Sequence, residues 1–286
     1  MLKLMKQAKA AFSLLSADEI AKQASMPVHI GLVADGSGAY AEMEELLVPS
    51  TLPRPEWRQR MMQVHRANDT AVPSKVDIVL YEPGLPCPVG SYSLNRSHPE
   101  ATWAEILQDK PELDLALARQ FLPFRRLVVE RIIHMVAKEN ALFAVATALP
   151  NVVPNFIELP WAVGEFASDT AFLTANQVRM AFQIAAACGK GVGLGKQKGT
   201  VLSIAAGAFG WRALARELVG KIPLGGGLIP KGAIAYAGTY VAGKGLEFLH
   251  VHDGEPTAAQ REQLYQEGLE HGRSFSKTMH LGENRA

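Results

Sequence analysis

Residues 28–47 read VHIGLVADGSGAYAEMEELL, and this stretch decides the class of the fold. Residues 28–34 are mostly apolar and rich in β-branched side chains, which predicts a short strand. The next four residues predict a turn, and residues 39–47 return to the apolar spacing of a helix. A strand, a glycine-rich turn and a helix in this order open a phosphate-binding loop, so the candidate cofactor-binding residues are Gly36, Ser37 and Gly38.

A working phosphate-binding loop needs the pattern Gly-x-x-x-x-Gly-Lys-Ser/Thr. Its backbone amides surround the phosphates, its lysine neutralises them and its hydroxyl holds magnesium. In the register that begins at Ala34, the lysine position is Tyr40 and the hydroxyl position is Ala41. The sequence therefore favours a turn without hydrolytic chemistry, and a P-loop shape that has lost its working residues is compatible with it.

A second strand is predicted over residues 76–81, and it ends in Tyr81-Glu82-Pro83-Gly84. GTPases end the corresponding strand with an aspartate that holds magnesium through water. The Pro-Gly turn is present here, but Tyr81 stands where the aspartate is needed, and Glu82 is one residue out of register. No GTP hydrolysis, no catalytic residue, no cofactor and no metal site are predicted.

The chain changes character near residue 100. Residues 48–75 and 83–99 are rich in proline or polar residues and are predicted to be mainly connections. Helical patterns follow one another after them, at roughly 100–109, 111–121, 123–149, 158–168, 170–188, 200–220, 228–249 and 256–272. We therefore expect an α+β protein, with a degenerate P-loop-like α/β unit over residues 1–100 packed on a larger all-helical domain over residues 101–286.

Composition limits the classes of partner. The 286 residues are 48% hydrophobic and 20% charged, which is typical of a folded globular protein. The formal net charge of +1 gives no basic footprint for nucleic acid, so no nucleic-acid partner is expected. Two distant cysteines and eight histidines without ligand spacing argue against a disulfide framework or a zinc site.

The segment from Leu173 to Met180 reads LTANQVRM and precedes an alanine-rich helix that ends at Gly189. It resembles the hallmark of the YcjF-type bacterial family, whose members accompany Era-like P-loop GTPases or are fused to them. The resemblance extends over about residues 115–250 and includes Arg125-Arg126, Asn140-Ala141, residues 150–154 and residues 235–244. It implies a helical, membrane-associated domain with no established reaction.

Five residues are singled out as a structural motif in this half, namely Asn176, Gln177, Arg179, Gly238 and Lys244. On a helix, residues 176 and 179 share a face, so both side chains can bond to one neighbouring segment. Residues 200–249 are predicted to form a helical hairpin that is hinged at residues 225–227. Its small side chains allow close backbone approach, as in membrane helix pairs.

No segment is a comfortable membrane span, because each apolar run is interrupted by proline or charge. Taken with the resemblance to the YcjF-type family, the sequence predicts a non-catalytic, GTPase-associated adaptor or scaffold, bound peripherally or by a hairpin to the cytoplasmic side of the bacterial inner membrane. Its expected partners are a P-loop GTPase, membrane lipid and a second copy of itself. The alternatives are a nucleotide-sensing module without hydrolysis, a fully soluble cytoplasmic helical protein of unknown role, and an enzyme whose residues follow no known pattern.

Overall fold

A computed structural model describes residues 17–67, 76–146, 169–200, 228–251, 254 and 256–283. The protein combines many helices with a small parallel sheet, so the α+β expectation holds at this coarse level. The predicted helices over 158–168 and 200–220, and the hinge at 225–227, lie outside the described residues.

The strands are β1 (Ile30–Val33), β2 (Val64–Arg66), β3 (Ile78–Tyr81) and β4 (Tyr92–Ser93). They form a four-stranded sheet in the order β2-β1-β3-β4, with every neighbouring pair parallel. Side chains alternate along β1 and β3 between buried and partly buried, so one face of the sheet carries the core.

The helices of the first half are α1 (Ala17–Ser25), α2 (Ser37–Leu47), α3 (Arg54–Met61), α4 (Pro99–Asp109) and α5 (Asp114–Gln120), with a 3-10 turn at Pro111–Leu113. The second half contains α6 (Leu122–Ala146), α7 (Asp169–Ala187), α8 (Leu228–Val251) and α9 (Ala258–Glu283).

Two segments that the sequence predicts as connections contain regular structure. Helix α3 and strand β2 lie within residues 48–75, and strand β4 lies within residues 83–99. The prediction was wrong there because β2 reads only Val-His-Arg and β4 only Tyr-Ser, which is too little pattern for a strand. These strands form because their backbone groups pair with β1 and β3.

The chain divides into two compact units. One comprises residues 19–130 and 186–190, and the other comprises residues 1–18, 131–185 and 191–286. The unit with the sheet therefore extends past the boundary near residue 100 that the sequence favours. Helix α4 belongs to it through hydrogen bonds to β4: the hydroxyl of Thr102 donates to the Ser93 carbonyl at 3.3 Å, and that of Tyr92 donates to Asp109 at 3.4 Å.

Candidate functional site

The turn after β1 is the first candidate site. Strand β1 ends at Val33 and α2 begins at Ser37, so residues 34–36 form the whole connection. Gly36 precedes the helix with φ of 109°, a backbone conformation that residues with a Cβ rarely adopt. Ser37 and Gly38 are exposed and already helical.

This connection is shorter than the loop of a P-loop protein. In the register that begins at Ala34, the motif assigns residues 35–38 to the phosphate cradle, yet half of them belong to α2 here. Tyr40 stands at the lysine position and is only 6% exposed, with the guanidinium of Arg66 lying 5.3 Å from its ring centre. The side chain at this position thus belongs to the core, whereas a catalytic lysine would reach out to a phosphate.

Sheet order gives the turn its significance. Strand β2 lies on one side of β1 and β3 on the other, so the strand order reverses between β1 and β3. In open parallel sheets, ligands bind beyond the carboxyl ends of the strands at such a reversal. The residues that follow β1 and β3 at this place are residues 34–36 and Glu82.

The side chain of Glu82 occupies a backbone amide of the turn after β1. Its carboxylate accepts a hydrogen bond of 2.8 Å from the backbone amide of Asp35, and Arg96 donates to its other oxygen at 2.9 Å. Arg96 also lies 3.3 Å from a carboxylate oxygen of Glu42 in α2. An ionised carboxylate thus takes a turn amide that a phosphate oxygen would use, and its charge repels a second anion.

The second candidate is a buried polar chain in the helical unit. Asn176 of α7 donates to the side-chain oxygen of Asn140 in α6 at 3.0 Å. Asn140 donates in turn to the hydroxyl of Thr239 in α8 at 2.8 Å, and Thr239 donates to the carbonyl of Ala235. Both asparagines are 2% exposed or less, so these bonds replace water that the side chains have lost.

An ion pair lies beside this chain. Arg179 of α7 pairs with Glu139 of α6, next to the Asn176–Asn140 contact. Asn176 and Arg179 therefore share the helix face that their spacing predicts, whereas Gln177 is partly buried at an intervening position. Burial raises the pKa of Glu139 above its usual range, and the nearby Arg179 opposes that rise.

The remaining two motif residues lie on α8. Gly238 is buried, and Lys244 forms an ion pair of 2.9 Å with Glu247. The ammonium group of Lys244 also lies 5.8 Å from the ring centre of Tyr240. Lys244 thus has partners on its own helix, at an i, i+3 spacing that favours such pairs.

Helix α8 packs at backbone distance against α9. A Cβ on Gly268 would lie 2.9 Å from the Cα of Ala237, and one on Gly272 would lie 2.8 Å from the Cα of Ala233. On the α8 side, a Cβ on Gly243 would meet Ile133 of α6 at 2.7 Å. Among the described residues, α8 thus packs on side chains of α6 and on the backbone of α9, while the predicted partner segment over residues 200–220 lies outside them.

Sequence reasoning missed several residues that the structure brings together. Glu139 and Thr239 carried no pattern of their own, because each matters only through a partner on another helix. Gly268 and Gly272 did leave a signal: two glycines at i, i+4 inside a helix cost about 1 kcal/mol each relative to alanine, which calls for a packing reason.

Metal binding and membrane crossing can be considered for the described part of the chain. It contains no group of three or more His, Cys, Asp or Glu side chains arranged to hold a metal ion. None of its helices combines the length and the apolarity required to cross a bilayer. Comparison of the sequence and the fold with protein-family models, curated proteins and solved structures gave no match.

Proposed function

We propose that this chain is a non-catalytic adaptor or scaffold that associates with a P-loop GTPase at the cytoplasmic side of a bacterial inner membrane. In this proposal, the unit with the sheet is a degenerate P-loop-like unit, and the other unit is a helical GTPase-associated domain. The observation that carries it is the closed turn: Glu82 bonds to the amide of Asp35, and Tyr40 fills the lysine position with a core side chain.

The helical unit supports a scaffolding role through its rigidity. A buried chain of side-chain hydrogen bonds joins α6, α7 and α8, and such chains specify one packing because any other leaves polar groups unpaired. Glycine contacts fix the spacing of α8 and α9. The GTPase partner and the membrane enter the proposal from the resemblance of residues 115–250 to the YcjF-type family.

A nucleotide-sensing module is the second candidate, and the position of the turn favours it. The turn lies at the reversal of strand order, where open parallel sheets bind ligands. In that role, the chain would bind a nucleotide without hydrolysing it, and the Glu82 carboxylate would have to leave the Asp35 amide first.

Thermal unfolding with and without magnesium and GTP or ATP separates the two candidates. A ligand at one hundred times its dissociation constant stabilises a protein by about 2.7 kcal/mol, which is a readily measured shift. We expect no shift for the adaptor and no turnover of either nucleotide. A saturable rise in unfolding temperature that Gly36→Val abolishes would favour the sensor instead.

Sedimentation with vesicles tests the membrane part. We expect the protein to pellet with vesicles of bacterial inner-membrane composition, and Lys244→Ala to lower the bound fraction. Glu247→Gln is the matched variant, because it breaks the same ion pair and leaves the positive charge in place. Protein that stays in the supernatant at every lipid concentration would rule out direct membrane binding.

A further inference from the structure

Two imidazole rings lie in contact at the start of the sheet. The Nδ1 atom of His29 lies 3.0 Å from the Nε2 atom of His65, and the ring centres are 5.2 Å apart. His29 directly precedes β1, and His65 is the middle residue of β2, which pairs with β1. Both residues are only partly buried, so the pair is accessible to solvent. Both belong to the compact unit that contains the sheet.

The strand register brings the two rings together. Ile30 and Leu32 are buried, so alternation along β1 places His29 and Gly31 on the opposite face of the sheet. His65 is the partner of Gly31 in the pairing of β1 with β2, and it therefore shares that face with His29. Gly31 has no side chain that would separate the rings. Because the paired strands hold both residues in place, a ligand that needs both rings loses little entropy on binding.

Two imidazole nitrogens at this separation can share either a proton or a metal ion. Between neutral rings, one nitrogen donates a hydrogen bond and the other accepts it. A neutral imidazole nitrogen is also the commonest metal ligand in proteins. With metal–nitrogen bonds of about 2.0–2.1 Å, a nitrogen separation of 3.0 Å corresponds to an angle of about 95° at the ion. This angle is close to the right angle of tetragonal Ni²⁺ and Cu²⁺ sites.

The charges next to the pair are compatible with a bound cation. The carboxylate of Asp77 accepts a hydrogen bond of 2.9 Å from the backbone amide of His29, and the amide of Asp77 donates to the His29 carbonyl at 2.9 Å. Asp77 thus places a fixed negative charge beside the pair, which favours a cation there. Arg66 follows His65 in β2, but its guanidinium lies 2.7 Å from a carboxylate oxygen of Glu44, which offsets its positive charge.

We propose that His29 and His65 form a two-histidine binding site for a divalent transition metal ion of the Ni²⁺ and Cu²⁺ type. The ion replaces the shared proton, and each ring turns about its Cβ–Cγ bond so that both lone pairs point at the ion. Among the residues that the structure describes, no third His, Cys, Asp or Glu side chain completes a ligand set, so water fills the other positions. The site does not depend on the adaptor proposal.

Spacing along the sequence could not reveal this pair. His29 and His65 are 36 positions apart, and they come together only because β2 pairs with β1. Ligand patterns that can be read from a sequence join residues within one helix or one short loop. The histidines of this chain therefore lack ligand spacing, although two of them lie in contact.

Titration with Ni²⁺ tests the site. The full chain should carry no affinity tag and should contain Cys87→Ser, because a histidine tag and the exposed thiol of Cys87 can both bind the ion. We expect saturable binding of a single ion per chain by calorimetry and a rise in the unfolding temperature. Mg²⁺ should produce neither effect, because it prefers oxygen ligands. Bound Cu²⁺ should show coupling to two imidazole nitrogens in its electron paramagnetic resonance spectrum.

Four histidine variants of this protein locate the ion. His29→Gln and His65→Gln should each abolish saturable Ni²⁺ binding, because each removes one of the two protein ligands. Glutamine retains a hydrogen-bonding side chain, and circular dichroism verifies that both variants fold. His98 and His271 are exposed and lie outside the pair. His98→Gln and His271→Gln should therefore leave Ni²⁺ binding intact.

Three results would overturn the proposal. The first is an absence of saturable binding of Ni²⁺ and Cu²⁺ to the protein with both histidines in place. The second is equal affinity with and without His29→Gln or His65→Gln. The third is loss of binding in His271→Gln alone, which would assign the ion to the rings of His134 and His271, whose centres lie 5.1 Å apart. If neither glutamine variant folds, a Cu²⁺ spectrum without two coupled imidazole nitrogens would contradict the site.

Discussion

Asn140 is the middle link of the buried polar chain, since it accepts from Asn176 and donates to Thr239. Asn140→Ala would leave Asn176 and Thr239 without this partner, and both of these residues are buried. Each buried polar group without a partner costs about 1–3 kcal/mol. We therefore expect a decrease of about that size or more in the free energy of unfolding, measured by urea denaturation.

Lys138→Ala is the control for this prediction, because Lys138 is exposed on the same helix. Substitutions of this kind usually change stability by less than about 0.5 kcal/mol. If Asn140→Ala and Lys138→Ala unfold at the same urea concentration, the polar chain does not stabilise the helical unit.

The Glu139–Arg179 pair predicts a pH dependence with a definite sign. Burial raises the pKa of Glu139 above the ordinary value of 4.5, and the attraction of Arg179 offsets only part of that rise. The folded protein therefore keeps this proton to a higher pH than the unfolded chain does. As the pH rises from 4.5 through the raised pKa, the free energy of unfolding of the wild type should fall relative to that of Glu139→Gln.

Urea denaturation of the wild type and of Glu139→Gln across this pH range measures the difference between their free energies of unfolding. The contributions of the other titrating groups largely cancel in this difference. Well below pH 4.5, Glu139 is protonated in both the folded and the unfolded protein, so the difference should be constant. A wild-type advantage that grows with rising pH would mean that the attraction of Arg179 outweighs the effect of burial.

At the scale of elements, the contact between α8 and α9 depends on glycine. Alanine is a better helix former than glycine by about 1 kcal/mol, so Gly→Ala in a helix normally stabilises. Gly272→Ala should do the opposite, because its Cβ would lie 2.8 Å from the Cα of Ala233 and 2.9 Å from that residue's carbonyl oxygen. Both obstructing atoms are backbone, so the helices must separate, and thermal unfolding should occur at a lower temperature.

Gly245 provides the matched comparison on α8. Within the part of the chain that the structure describes, a Cβ at this position has no heavy atom of a neighbouring segment within 4 Å. Gly245→Ala should therefore be neutral or raise the unfolding temperature. Stabilisation by both substitutions would show that α8 and α9 do not approach each other closely in solution.

At the scale of the whole molecule, the division between the compact units falls near the ends of α1 and α7 and in the middle of α6. Helix α6 runs from Leu122 to Ala146, and the division between the units falls after Glu130. A proline inside a helix removes a hydrogen bond and costs about 3 kcal/mol. Arg131→Pro should therefore break the continuity of α6 at the division. We expect calorimetry to resolve two unfolding transitions in this variant and a single transition in the wild type.

Arg131→Ala is the control for this substitution. It removes the same exposed side chain and retains the helical backbone, so it should keep a single transition. A single transition in Arg131→Pro as well would mean that α6 does not set the cooperativity of unfolding. Two transitions in the wild type would lead to the same conclusion.

The sequence by itself determined the elements that carry a local pattern. Apolar spacing predicted a helix at 100–109, and the structure has α4 at Pro99–Asp109. It also predicted a helix at 228–249, and the structure has α8 at Leu228–Val251. The strand, the turn and the helix around Gly36 could also be predicted from their own residues. The reason is that hydrophobic periodicity and glycine or proline punctuation act within a window of about 11–18 residues.

Only the tertiary structure decided what depends on distant partners. Strands β2 and β4 exist because they pair with β1 and β3, although their own residues are too few to predict a strand. Glu82 accepts a hydrogen bond from the amide of Asp35, which lies 47 positions away in the sequence. Asn176 donates to Asn140, which lies 36 positions away. Such contacts form when packing brings separate segments together, and a single sequence carries no local trace of which segments will meet.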